Sequence, residues 1–530
     1  MTEPESHLPE SHALGSRLPL GASVAAAALL LLLPWLGRPA LFDRDETYYA
    51  EAAREMREAG NWLVPRLNGQ EFHQKPFLPL AFICASYSVF GVNETGARMP
   101  SVLFGLGTMM LTAAAARLLF GEAAALRSAL VLGSSLLFSL VSRSSMTDSA
   151  FLFFFTLSLF AFLRTRGTAG AGRRELLWMY AAMGLATLCK GPIGFLLPIG
   201  IVALIAWSEG GWASLRRLQP IMGAAVIVAI GAAAVLALPR SERGAFLRAF
   251  LLRENVGRYL APMEGHGAPF WIYLPVLAVA FLPWSPFLPA AWKTIRDRRS
   301  RWALGAWIGV PLLFFSAAAT KLPHYVLPTF PALAILVGAG WEGQGTRKSR
   351  LLPLAGVFVF SSALPLALFL ARDRWPDLLP VSLVWTAAIL PAGAVAALIA
   401  SRRSTLQFGA LALSVLLLLW VACGWSLPAL QEVRVIRPIG VRLRAVGDAS
   451  VFSYRFLEPG LLFYARRTIT RLETLEQVAA RAGQEHFVIV VREPEVSQIR
   501  AAARVPLKTL AARRGFCEDS GPMELAVLAR

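Results

Sequence analysis

Apolar runs long enough to cross a bilayer recur from Leu18 to about residue 427, with only short polar loops between them. A soluble core can bury one or two such runs, not a long series. Lipid offers no partner to a free N–H or C=O, so each run is expected to be a helix. The first is Leu18–Leu36. Others follow near 77–91, 98–118, 124–146, 148–163, 175–189, 191–207, 220–238, 269–289, 302–317, 326–342, 352–371, 378–400 and 407–427. The chain has 530 residues, 56% hydrophobic and 16% charged, which fits one polytopic membrane protein better than several soluble domains.

The formal net charge is +19, but this does not point to nucleic acid. Much of the Arg and Lys falls in short loops, at 164–174, 215–217, 292–301, 346–350 and 401–403, as the positive-inside rule places them. With these loops inside, the regions around Asp148 and Lys190, residues 239–268 and residues 318–325 fall outside, together with the first loop, 37–76. Parity then requires an even number of crossings between that loop and Asp148. A break of 124–146 at Gly133-Ser134-Ser135 satisfies it and leaves roughly thirteen crossings. Residues 1–17 read as a disordered cytoplasmic leader, and Leu18–Leu36 as an anchor without a cleavage site. Residues 18–429 form the membrane domain. From 430 to 530 no spanning run occurs, and an external α/β domain is expected, with strands at 450–456 and 486–491 and a helix over Thr474–Ala482. The fold class is thus mainly α, with a small C-terminal α/β domain. The four cysteines have no metal or disulfide spacing.

The chemistry concentrates in Leu41–Lys75, which holds Asp43, Asp45, Glu46 and Glu51 and ends in His73-Gln74-Lys75-Pro76. Carboxylates directly after a span lie near headgroup level and can act as a base toward an incoming nucleophile. The same acids also suit a helix start, where they offset the macrodipole. Lys75 at the mouth of a span fits a snorkelling anchor or a point charge on a phosphate. Lys190 lies at a helix break before Gly191-Pro192, where a cation generally has a partner. Asp148, with Arg143 nearby, is an acid at a membrane boundary, open to a local ion pair or to function. Lys321-Leu322-Pro323-His324-Tyr325 repeats the cation-and-aromatic theme. Arg253–Tyr259, including Arg258, and Glu264-Gly265-His266 occupy another external loop. No Walker box or dinucleotide fingerprint is present. Charge topology alone puts these groups on one face, as a lipid phosphate entering sideways would require. Transfer from a sugar phosphate is the expected chemistry, with cations stabilising the leaving charge.

The motifs DRDETYYAEAAREMREAGNWLVPRLNGQEFHQKPFL, FGVNETGARMPS, TLCKGPIGFLLP, LRENVGRYL, HGAPFWIYLPV, LPWSPFLP and FSAAATKLPHYVLPTFPALA occur in order. Over roughly 18–430 the chain resembles the superfamily of dolichyl-phosphate-mannose protein mannosyltransferases, and within it the bacterial lipid A aminoarabinose transferases. The resemblance implies a C-type membrane glycosyltransferase of the bacterial inner membrane. Such an enzyme inverts the anomeric centre of an undecaprenyl-phosphate-linked sugar on the periplasmic face. The acceptor would be lipid A, a glycan or a protein. Carried onto this chain, the resemblance makes Asp45 and Glu46 catalytic, with Asp45 activating the acceptor. It makes Lys75, Lys190, Lys321 and Tyr325 the donor-phosphate set, with Asp148, Tyr49, Arg258 and His324 in support. Two departures stand out: Tyr48 replaces an Arg of the family's first motif, and Gln74 replaces a Glu that can help hold zinc with a later His. His266 is the candidate for that His. With Gln74 a divalent metal is left open but not required, and another sugar or acceptor is expected. The competing readings are a transporter or flippase of lipid-linked saccharides, which the lack of an internal repeat disfavours, and a non-catalytic scaffold.

Overall fold

The computed structural model describes residues 19–42, 45–166, 172–261, 267–344, 347–372, 381–400, 403–431, 433–484, 486–517 and 521–530. The expected leader, Asp43 and His266 lie outside these residues. Helix α1 (Leu20–Leu32) is followed by the first loop, which folds as an amphipathic helix, α2 (Asp45–Glu58), and a small hairpin, β1 (Arg66–Leu67) with β2 (Gln70–Glu71). Asn68 and Gly69 both take positive φ at its tip, 55° and 75°, as a two-residue turn of this hand demands. Both their N–H groups donate to the Glu55 carboxylate, at 2.6 and 2.8 Å.

The bundle continues with α3 (Phe77–Phe90), α4 (Glu94–Phe120), α5 (Glu122–Gly133), α6 (Leu136–Ser142), α7 (Asp148–Thr165), α8 (Arg173–Lys190), α9 (Ile193–Arg217), α10 (Pro220–Ala237) and the short α11 (Arg240–Phe246). Further apolar helices run at Arg298–Ala317, Phe330–Gly340, Arg347–Arg372, Val381–Ile399 and Ser404–Val421. Among the described residues, eight helices are long and apolar enough to span, or ten if two bent pairs each count once. The chain is a multi-pass membrane protein.

The first bent pair is α5 with α6, turned by 71° at the break expected at 133–135. The second was not expected. Residues 269–289 are not a straight span but part of two helical pieces, Phe270–Ala280 and Ser285–Thr294, bent by 108°. Pro283 and Pro286 remove two backbone donors there, so a continuous helix cannot form. The two breaks dock on one another. Leu136 N–H donates to the Leu282 carbonyl (3.1 Å), and the Trp284 indole N–H donates to Ser134 Oγ (3.0 Å). Broken helices are stable in a membrane only where protein satisfies their polar groups in this way. Buried Trp284, Phe287, Phe330, Trp341 and Phe408 pack around this junction.

Beyond residue 435 the chain forms a five-stranded sheet ordered β4-β3-β5-β7-β6, from β3 (Ser450–Tyr454), β4 (Thr470–Leu472), β5 (Phe487–Arg492), β6 (Lys508–Cys517) and β7 (Gly521–Ala529). β3 is parallel to β4 and β5, and β7 is antiparallel to β5 and β6. Alternation along β5 sends Val488 and Val490 into one apolar layer and Phe487, Ile489 and Val491 into the other. The expected helix spans Leu475–Ala482, capped by a reciprocal Thr474/Gln477 box. This domain grips the first loop. Leu41 N–H donates to Tyr464 Oη (2.9 Å), and Asn68 exchanges two hydrogen bonds of 2.9 Å with the Ile469 backbone.

Candidate active site

One end of α2 and the ends of several membrane helices converge on a cavity of about 620 Å³. Asp45, the first residue of α2, lines it beside Tyr48 and Tyr49. The turn between the hairpin and α3 adds Phe72, Gln74, Lys75 and Pro76. The start of α7 supplies Asp148, and the α8–α9 junction supplies Lys190 and Pro192. The π-helical segment Leu247–Gly257, with the turn after it, adds Phe250, Glu254, Asn255 and Arg258, and residues 314–325 add Phe314, Phe315, Thr320, His324 and Tyr325.

Two of the cations are paired with carboxylates. The Lys190 ammonium donates to Asp148 Oδ1, and His324 Nε2 lies 3.8 Å from the same oxygen. Lys190 Nζ also stands over the rings of Tyr325 (5.2 Å) and Phe151 (5.6 Å). Arg258 Nε meets Glu254 Oε2 at 3.0 Å, and the guanidinium also bonds the Tyr325 hydroxyl. Lys75 Nζ sits 5.9 Å from the centroid of Tyr49. Coulombic attraction, from Tyr49 once it is ionised and then from Asp45 and Glu254, holds the Lys75 ammonium above its ordinary pKa despite burial. Burial pushes the Tyr49 phenol up to about 12, so at neutral pH Tyr49 is a hydrogen-bonding hydroxyl and not a base. Tyr48 stacks on Phe72 at 5.9 Å with the planes 7° apart, an aromatic wall beside Asp45.

The family model for dolichyl-phosphate-mannose-protein mannosyltransferase matches residues 74–237. The undecaprenyl phosphate-α-4-amino-4-deoxy-L-arabinose arabinosyl transferase of Serratia proteamaculans is 30% identical over 427 residues, covering 76% of this chain and 75% of the relative. Its Sodalis glossinidius counterpart is 31% identical over 442 residues, covering 78% and 76%. The chain belongs to that family. It is a membrane enzyme of the polyprenyl-phosphate-sugar-dependent glycosyltransferase class. The fold agrees: ArnT from Cupriavidus metallidurans, solved bound to undecaprenyl phosphate, superposes with a TM-score of 0.80 at 22% identity, over 95% of this chain and 97% of that one.

Of the residues singled out for this arabinosyl transferase relative, the cavity gathers Asp45, Tyr49, Gln74, Lys75, Asp148, Lys190, Arg258, His324 and Tyr325. It does not gather Glu46 or Lys321. Glu46 points away from the cavity and is 3% exposed. Its oxygens accept from Arg98 Nε (2.9 Å), Arg98 Nη2 (2.7 Å), Phe42 N–H (2.8 Å) and Ser145 N–H (2.7 Å). Arg98 completes its donor set on the carbonyls of Leu36, Pro39 and Ala40. A carboxylate saturated in this way has no lone pair directed at a substrate; it fixes the position of its neighbour Asp45. The Lys321 ammonium donates to the Ala318 carbonyl and caps a helix end. Arg143 does not pair with Asp148 but donates to the α1 carbonyl of Leu31 at 2.9 Å. Of the metal pair implied by the resemblance, Gln74 brings a neutral amide to the cavity wall, and His266 lies outside the described residues.

Arg98 was missed, although an Arg at the start of an apolar run is itself a signal of a buried partner. Glu254 and Asn255 had no assigned role. Asn255 packs against Gly191, whose φ is +87°; a Cβ there would come within 2.4 Å of Asn255 Oδ1. With ψ at −164°, this is a conformation essentially reserved for glycine, so Gly191→Ala is expected to add about 1–3 kcal/mol of backbone strain and to displace Asn255. Donor KM should rise several-fold with little change in expression; an unchanged KM would show that the Gly191–Asn255 contact does not shape the site.

Proposed function

We propose that this protein transfers a sugar from undecaprenyl phosphate to a hydroxyl or phosphate of a lipid acceptor at the periplasmic face of a bacterial inner membrane. The acceptor oxygen attacks the anomeric carbon, the bond from that carbon to the phosphate oxygen breaks, and the configuration inverts. Asp45 takes the acceptor's proton. The electron pair departs with the lipid phosphate, whose charge Lys75, Lys190 and Arg258 receive.

The observation that carries this reading is the mixed lining of the cavity. Asp45, Lys75, Lys190 and Arg258 line it together with Ile193, Leu196, Val256, Leu260 and Phe314. A lipid phosphate needs both environments at once. Asp148 and Glu254 neutralise two of the cations before the donor arrives, which avoids unpaired buried charge in the free enzyme.

The test is release of undecaprenyl phosphate by the purified protein in detergent, with a panel of undecaprenyl-phosphate sugars, 4-amino-4-deoxy-L-arabinose included, and lipid acceptors. Lys75→Ala is expected to lower kcat/KM for the donor about a hundred-fold. Donors that bind, or cross a liposome bilayer, without ever being consumed would replace this reading with a transporter.

A further inference from the structure

We infer that Glu71, His73 and Glu242 bind one divalent cation of the zinc class between the first loop and helix α11. Their ligand atoms all lie within 4.8 Å of one another. His73 Nε2 is 3.2 Å from Glu71 Oε2 and 3.1 Å from Glu242 Oε2. Ligands held at about 2.0–2.2 Å on a tetrahedral ion are separated by about 3.3–3.6 Å, so a few tenths of an ångström of adjustment would admit the metal. One imidazole and two carboxylates form a nitrogen–oxygen set that zinc accepts, with a further position for water.

The second observation is an unsatisfied oxygen. Glu242 is 8% exposed, and its Oε1 accepts from Ser241 Oγ at 3.2 Å. Its Oε2 is buried and makes no hydrogen bond of good geometry among the described residues; His73 Nε2 stands 3.1 Å from it, with the Glu71 carboxylate alongside. A buried carboxylate oxygen so poorly satisfied is costly, and a second carboxylate beside it adds repulsion. A cation removes both penalties.

The backbone presents the ligands without distortion. Glu71 ends β2 and His73 opens the turn that follows, and their ligand atoms face each other at 3.2 Å. Between them, Phe72 N–H donates to the Pro65 carbonyl at 2.7 Å, which holds that stretch in place. None of the three ligands lines the large cavity, but Phe72 and Gln74 beside them do, as do Phe250 and Glu254 in the segment that continues α11. The ion would staple together two walls of the cavity from behind.

The experiment uses the full chain in detergent, stripped with a chelator and titrated with zinc ion by calorimetry, with cobalt(II) absorption as a second readout. One equivalent should bind, with a tetrahedral cobalt spectrum. His73→Ala and Glu242→Gln should each weaken zinc at least about ten-fold while unfolding at the temperature of the stripped wild type. Glu71→Gln, on an exposed side chain, supplies the same comparison should either of those variants fail to fold. Absence of binding, or one equivalent held equally tightly by all three variants, would overturn the assignment.

Discussion

Asp45→Asn is expected to reduce sugar transfer by about a hundred- to ten-thousand-fold, the range associated with losing a positioned general base. Asn keeps the size and hydrogen-bonding shape of the side chain but cannot take the acceptor's proton. Tyr49 cannot substitute for it, because burial keeps the phenol protonated up to about pH 12. Asp148 is committed to Lys190, and Glu46 is saturated by Arg98 and two backbone amides. Donor affinity should change little, since the cations remain. The check is single-turnover release of undecaprenyl phosphate alongside donor binding, with size-exclusion behaviour reporting the fold. Near wild-type turnover in a folded Asp45→Asn protein would remove Asp45 from the chemistry and return attention to the other carboxylates of the cavity, Asp148 and Glu254.

Arg98→Ala is expected to be the most damaging substitution for the fold, destabilising by about 3–5 kcal/mol, because it strands Glu46 as an uncompensated buried charge. It also deprives three carbonyls, those of Leu36, Pro39 and Ala40, of their donor. The turn between α1 and α2 would loosen, and activity would fall through misplacement of Asp45. Glu46→Gln should be milder, since its amide still accepts from Ser145 N–H and from part of the guanidinium. Thermal unfolding in detergent checks the ranking. If Arg98→Ala lies within about 1 kcal/mol of wild type, a value typical of an exposed pair, the Arg98–Glu46 contact does not organise the loop.

Much of the fold is legible from hydropathy and punctuation. The break at Gly133-Ser134-Ser135 followed from a parity argument on charges, and β3, β5 and the capped helix at Leu475–Ala482 followed from local pattern. The bend within 269–289 did not, because an apolar run reads the same whether it crosses straight or folds back. β6 and β7 were also not anticipated. β6 lies at a sheet edge with many half-exposed positions and lacks the apolar run that marked β5.

For the site, the sequence by itself determined the kinds of chemistry available: carboxylates and cations at span boundaries, where an unpaired charge is too costly to be incidental. It also set the secondary structure that carries them, because 3.6-residue and two-residue periodicities are local properties. What only the tertiary structure decided is which of those groups face one another. Adjacent residues Asp45 and Glu46 are chemically alike, yet a helix sends one toward the cavity and the other to Arg98, more than fifty positions away. Lys190 and Lys321 are both boundary cations, and only Lys190 meets a carboxylate in the cavity. Glu242 joins Glu71 and His73 across a long stretch of chain. Contacts of this range depend on how the helices pack together, and no spacing within the chain encodes them.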